Sequence, residues 1–206
     1  MKLTKKLGLA LGSVLLASSL SGCAYIDKFL SDAEENWKGK SMTIQSYDDD
    51  SNIIDKVHGK SISLSPDSTF DKTNESGETI SESSVINFTV GGKQMLQVGS
   101  TIIAYEDGLT NIYDSYAKTL DVKDTDRSIP VLNRMLNNYE NAFKGKAMVV
   151  VIRNQTGKLV GVFSGNEVSY FASDISKATE FLIDGKLLFV YRANMAVYDK
   201  DILEKE

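Results

Sequence analysis

The sequence predicts an α+β fold: a tandem duplication of an N-terminal helix packed on a small antiparallel, barrel-like sheet of about six short strands. Three observations carry this. Stretches of the chain repeat at fixed offsets. Apolar residues at helical spacing open each repeat, and short alternating segments broken by glycine turns follow.

Residues 25–64 align without a gap on residues 131–170, at an offset of 106. Leu30, Glu34, Lys38, Gly39, Lys40, Met42, Gly59 and Ser63 fall on identical Leu136, Glu140, Lys144, Gly145, Lys146, Met148, Gly165 and Ser169. A second block aligns at an offset of 93, placing Phe88, Gly92, Lys93 and Tyr105 on Phe181, Gly185, Lys186 and Tyr198. Matched turn glycines together with matched apolar phase are what a duplication leaves behind.

Each repeat opens on a helical stripe, Ile26, Phe29, Leu30 and Ala33 in the first and Leu132, Met135, Leu136 and Tyr139 in the second. Ser128 and Pro130 suit the start of the second helix. A Lys-Gly-Lys run ends each one, since glycine adopts the left-handed closing residue and lysines complement the helix dipole. Trp37 and Phe143 stand at matching places, as if to seal helix against sheet.

Alternation then predicts strands near 41–47, 52–57, 60–65, 84–90, 93–98 and 101–106, with counterparts in the second repeat. Residues 48–52 and 154–158 read as hairpin turns, and Gly91-Gly92 and Asp184-Gly185 as two-residue type I′ turns. Val149, Val150, Val151 and Ile152 are apolar on both faces, so that strand needs a cover, which the other repeat would supply. Residues 65–83 belong to the first repeat only and read as a disordered loop or a solvated hairpin. In the connecting stretch, Leu109, Ile112, Tyr113, Tyr116 and Leu120 fit a helix stripe, with a strand left open.

The N-terminus has its own logic. Lys2, Lys5 and Lys6 precede an apolar run over residues 7–17, the charged and apolar regions of an export signal. The run is shorter than the roughly 18–20 apolar residues that span a bilayer. Leu20, Ser21, Gly22 and Cys23 then resemble the lipobox of bacterial lipoproteins. That resemblance implies a diacylglyceryl group on the Cys23 sulfur and cleavage between Gly22 and Cys23. Two acyl chains anchor stably where one is marginal. The expected organisation is a removed signal (1–22), the lipidated cysteine with the first repeat (23–106), a connecting segment (107–129) and the second repeat (130–206). The amphipathic pattern begins directly after Cys23 without a flexible tether, so the folded part is expected close to the membrane.

Charge narrows the partners. Removing the three signal lysines takes the formal charge from −5 to −8. Residues 24–106 hold 14 acids against 7 lysines, whereas residues 130–206 are nearly balanced. Nucleic acid, which needs clustered Lys and Arg, is not an expected partner. The expected partners are the cytoplasmic membrane, through diacylglyceryl-Cys23, and a membrane-proximal envelope protein. The identity of any small-molecule ligand stays open.

No catalytic, metal or cofactor constellation is expected. His58 is the single histidine and Cys23 the single cysteine, so His58 reads as a structural or solvated residue beside a turn. Asp48, Asp49, Asp50 and Asn52 superficially resemble the start of a calcium loop, but Ile53 and Gly59 stand where Gly and Glu are required. Gly91-Gly92-Lys93 is a hairpin turn, not a phosphate cradle. Carboxylates are plentiful without any pair standing out as a glycosidase acid and base.

Four runs together resemble an uncharacterised family: Trp37 to Lys40, Tyr105 to Thr110, Asp126 to Pro130 and Glu167 to Phe171. The family consists of roughly 200-residue lipoproteins from lactobacilli, streptococci and enterococci, classed as a domain of unknown function. The resemblance implies a low-GC Gram-positive bacterium, the outer face of the cytoplasmic membrane, and no assigned activity. The functional expectation is a non-enzymatic, membrane-anchored binding or accessory module. The alternatives are a small-solute receptor using the cleft between the repeats and, behind it, a carboxylate-based envelope hydrolase.

Overall fold

The computed structural model describes residues 37–60, 63–119, 135 and 144–203. The chain divides into two units, Met1–Trp37 and Lys38–Glu206. Only Trp37 of the first is described, so the architecture is that of the second.

The first strands are β1 (Ser41–Tyr47), β2 (Ile53–Lys60), β3 (Ser63–Pro66), β4 (Lys72–Thr73), β5 (Thr79–Ser81), β6 (Val85–Val90), β7 (Lys93–Val98) and β8 (Thr101–Glu106). Helix α1 (Ile112–Thr119) follows. Then come β9 (Met148–Arg153), β10 (Leu159–Gly165), β11 (Val168–Ala172), β12 (Ala178–Ile183), β13 (Lys186–Tyr191), β14 (Asn194–Asp199) and the short α2 (Lys200–Leu203). The strands form a six-stranded sheet, β11-β12-β13-β8-β1-β2, two three-stranded sheets, β10-β9-β14 and β3-β6-β7, and the β4-β5 hairpin.

This corrects the expected α+β class: the protein is mostly β. Among the described residues no N-terminal helix packs on a sheet, and the six strands of a repeat do not form one barrel-like sheet. The physical reason lies in what covers the apolar faces. A strand ladder hides one face by stacking on another ladder as well as it would under a helix. Here Val150, Ile152, Val160 and Phe163 of the β10-β9-β14 sheet pack on Ile103, Tyr105, Phe181, Ile183, Leu188 and Val190 of the six-stranded sheet. The stripes over 25–36 and 131–143 lie outside the described residues, except Met135, which is buried with Val149, Val151 and Val162.

Strand bounds recur at the offsets read from the sequence. β6, β7 and β8 reappear 93 residues later as β12, β13 and β14 with identical lengths, and β1 and β2 reappear 106 residues later as β9 and β10. Registers transpose with them: Met42 pairs with Gly59 and Glu106, as Met148 pairs with Gly165 and Asp199. Left-handed residues match too, Gly39 with Gly145, Ser51 with Gly157, Gly91 with Asp184 and Gly99 with Arg192.

The halves meet head to tail. β13 of the second half pairs with β8 of the first through Leu188–Tyr105 to Tyr191–Ile102. The two corresponding hairpin turns also stack: Asn154 Nδ2 donates to the carbonyls of Asp48 and Asp49 at 3.0 and 2.9 Å, and Lys158 pairs with Asp50. The doubly apolar strand β9 is thus covered on both faces. Val150 and Ile152 face the six-stranded sheet, and Val149 and Val151 meet Ile112 and Tyr113 of α1 and Leu203 of α2.

Residues 65–83 form a solvated hairpin. Asp67 caps a 3₁₀ turn by accepting from the Thr69 amide, and every residue of β4 and β5 is exposed, with Phe70 and Ile80 more than half so. In the connecting stretch α1 realises the helical alternative.

Candidate functional site

At one end of the second half, a cavity of about 330 Å³ opens between the turn after β8 and the ends of β10, β12 and β13. Ligand pockets run from about 300 to 1,000 Å³, so it suits a small molecule. The near wall is the 106–110 turn. It closes through Leu109 N donating to Glu106 O at 3.0 Å, and Gly108 sits at φ +92. A Cβ there would stand 2.8 Å from Lys186 Nζ, the movable end of a flexible side chain, so it is the positive φ that calls for glycine. Ile112, Phe163 and Ile183 form the back, sealed from water, with Phe163 held by the Tyr105 ring at 5.4 Å.

Two lysines frame the mouth. Lys146 Nζ lies 2.5 Å from Asp184 Oδ2. Lys186 donates instead to the main-chain carbonyl of Asp107 at 2.9 Å, a neutral acceptor, and forms no ion pair among the described residues. Asp184 is set by its own turn: Asp184 and Gly185 have φ +49 and +76, the type I′ pattern, which returns the carboxylate toward the chain. It accepts from the Asn166 and Glu167 amides at 2.7 and 3.0 Å. Partial burial opposes its charge. The hydrogen bonds from Lys146 and the two amides, with the lysine charge, outweigh that and hold its carboxyl below the usual range.

A folded-state value below the unfolded one means stability is present above the ordinary aspartate range and lost as pH falls through the depressed value. Asp184→Asn should therefore lower stability at neutral pH. The gap to wild type should close below about pH 4, as followed by thermal unfolding across pH.

Behind the cavity a buried polar network fixes α1. Asn111 Oδ1 accepts from the amides of Tyr113 and Val162 at 3.2 and 3.0 Å, and its Nδ2 donates to Val160 O and Asp114 Oδ1 at 3.2 and 3.1 Å. Gln45 Nε2 donates to Asp114 Oδ2 at 2.8 Å, and Tyr47 Oη donates to Gln45 Oε1 at 3.0 Å. Burial, then the Asp114 charge, push the Tyr47 hydroxyl well up, so it stays a neutral donor. This network ties β1, β10 and α1 together and so places Ile112 at the cavity. The sequence reading missed all of it: a Gln and a Tyr on an alternating strand give no sign that their face is buried as well as the opposite one.

The residues singled out from sequence fall elsewhere. Leu20, Ser21, Gly22 and Cys23 lie outside the described residues. His58 Nε2 sits 3.0 Å from Asp107 Oδ1, a surface pair with both side chains about half exposed. The Asp48 carboxylate is occupied by its turn, accepting from the Asp50 and Asn52 amides at 2.9 and 2.8 Å and from Asn52 Nδ2. Among the described residues no three His, Cys, Asp or Glu side chains gather as metal ligands. No described helix is long and apolar enough to cross a membrane. The cavity lies between the second half and the connecting turn, not between the two halves.

No curated protein and no solved structure shows a significant match to this chain. A family model does, over residues 5–203, described as a domain of unknown function (DUF5052). The match spans nearly the whole sequence, including the turn that walls the cavity, and the chain belongs to that uncharacterised family.

Proposed function

We propose that this chain is a surface lipoprotein of a Gram-positive bacterium, held at the outer face of the cytoplasmic membrane by diacylglyceryl-Cys23. Its folded body is a tandem duplication that binds a small solute without transforming it. The signal lysines, the short apolar run and the lipobox support the anchor. The transposed strand bounds and registers support the duplication.

The observation that carries the binding reading is the cavity with a mostly apolar wall, one locked ion pair and Lys186 at the mouth. Its one lining carboxylate is held charged by Lys146 and two amides, which suits a structural brace better than a proton donor near neutral pH. Lys186, which donates to the Asp107 carbonyl and makes no ion pair among the described residues, is the group to meet an acidic function on an otherwise apolar solute.

Two measurements test this. Detergent phase partitioning should carry the wild-type protein into the detergent phase and leave Cys23→Ala behind; equal partitioning would remove the anchor. A thermal-shift panel of small carboxylates, sugars and amines should show stabilisation by one class. For carboxylates such as octanoate, Lys186→Met should weaken binding about tenfold, the loss of one charge-assisted contact. If no class stabilises the protein, the binding reading falls.

A further inference from the structure

A second, larger opening lies at the other end of β13, about 560 Å³ in volume, and no acid is among the residues that line it. Lys177, Arg192, Gln155, Thr179 and Asn194 face it. Lys177 and Arg192 both adopt left-handed backbone, at φ +66 and +50. That conformation is unfavourable for a residue that carries a side chain. The fold does not demand these residues there. The first half makes the corresponding turn between β7 and β8 with Gly99, at φ +88, and has Ser84 in the place of Lys177.

The two strained residues are joined, Arg192 N donating to Lys177 O at 3.0 Å. The guanidinium is also aimed: Arg192 Nη2 donates to Gln155 Oε1 at 3.3 Å, and Gln155 in turn donates to Gly99 O at 3.3 Å. Neither cation forms an ion pair among the described residues. Strain held at two adjoining positions, each carrying a cation into one acid-free opening, is the pattern of a site rather than of a turn.

We propose that Lys177 and Arg192 form an oxyanion site for a phosphate group, with Gln155 orienting the guanidinium and Thr179 and Asn194 offering further donors. This site is separate from the cavity beside Lys186 and does not depend on it. The phosphate could be free or carried by an anionic lipid headgroup, since both present the same oxygens.

The test uses the full chain in nanodiscs and inorganic phosphate as the probe. In phosphatidylcholine discs, phosphate should raise the Tm of the wild type. Arg192→Gly should be as stable as wild type or more so without phosphate, because glycine is at ease at that φ, yet lose the phosphate response. Lys177→Asn, which also tolerates the left-handed region, should weaken the response about tenfold. A wild type indifferent to millimolar phosphate, or an Arg192→Gly protein that responds as wild type does, overturns the site. Repeating the titration in phosphatidylglycerol discs assigns the source. A response that disappears there means the headgroup fills the site, and one that persists means free phosphate does.

Discussion

Replacing Asn111 with leucine is expected to destabilise the protein by about 3 kcal/mol, because several buried groups lose their partners at once. The Asn111 amide satisfies the buried backbone amide of Val162 and carbonyl of Val160, besides the Tyr113 amide and Asp114. Leucine has a similar volume and satisfies none of them. Asn111→Asp should be nearly as harmful, since a carboxylate still accepts from the two amides but cannot donate to Val160 O, and it faces Asp114. Denaturant unfolding gives the magnitude. A loss below about 1 kcal/mol would mean that the network does not hold α1 against β10.

The second large effect is expected at Gly59 and Gly165. A Cβ on Gly59 would stand 2.2 Å from Val90 Cγ1, and one on Gly165 would stand 2.5 Å from Ile183 Cγ2. These are the same contact in each half, made where the strand after the first hairpin crosses the neighbouring ladder. The methyls they would strike belong to β-branched side chains with little freedom to turn away. Gly59→Ala and Gly165→Ala should each cost about 1–3 kcal/mol. Their effects should add in the double variant, because the two contacts share no residue. In double-mutant cycles, Gly59→Ala with Val90→Ala and Gly165→Ala with Ile183→Ala should each cost less than the sum of their two single changes.

How much of this could be read in advance divides along one line, local against non-local. The turns were legible because their chemistry is local: Gly91-Gly92 and Asp184-Gly185 specify their own backbone, and they stand where the hairpins do. The repeat offsets were legible as identities. What covers a sheet was not. The pattern in Val149 to Ile152 shows that both faces are buried but not by what: the other repeat was the expected cover, whereas one face meets the six-stranded sheet and the other meets α1 and α2. Nor does alternation reveal that β8 pairs with β13, because that seam joins residues far apart in sequence. The cavity was hidden for the same reason. Lys146, Asp184 and Lys186 meet only after the four turns between β9 and β13 have been folded, and Gly108 looks like any turn glycine until the lysine beside it is placed.

The most direct test of the binding reading is methyl NMR of the full chain, with isoleucine, leucine and valine labelled, titrated with octanoate. If the cavity is the site, saturable shifts will centre on Leu109, Ile112 and Ile183, and about tenfold more octanoate will be needed to reach them in Lys186→Met. If the shifts instead gather on the exposed Ile53, Ile54, Leu96 and Val98, or if none saturate, the cavity is not a binding site and that reading is wrong.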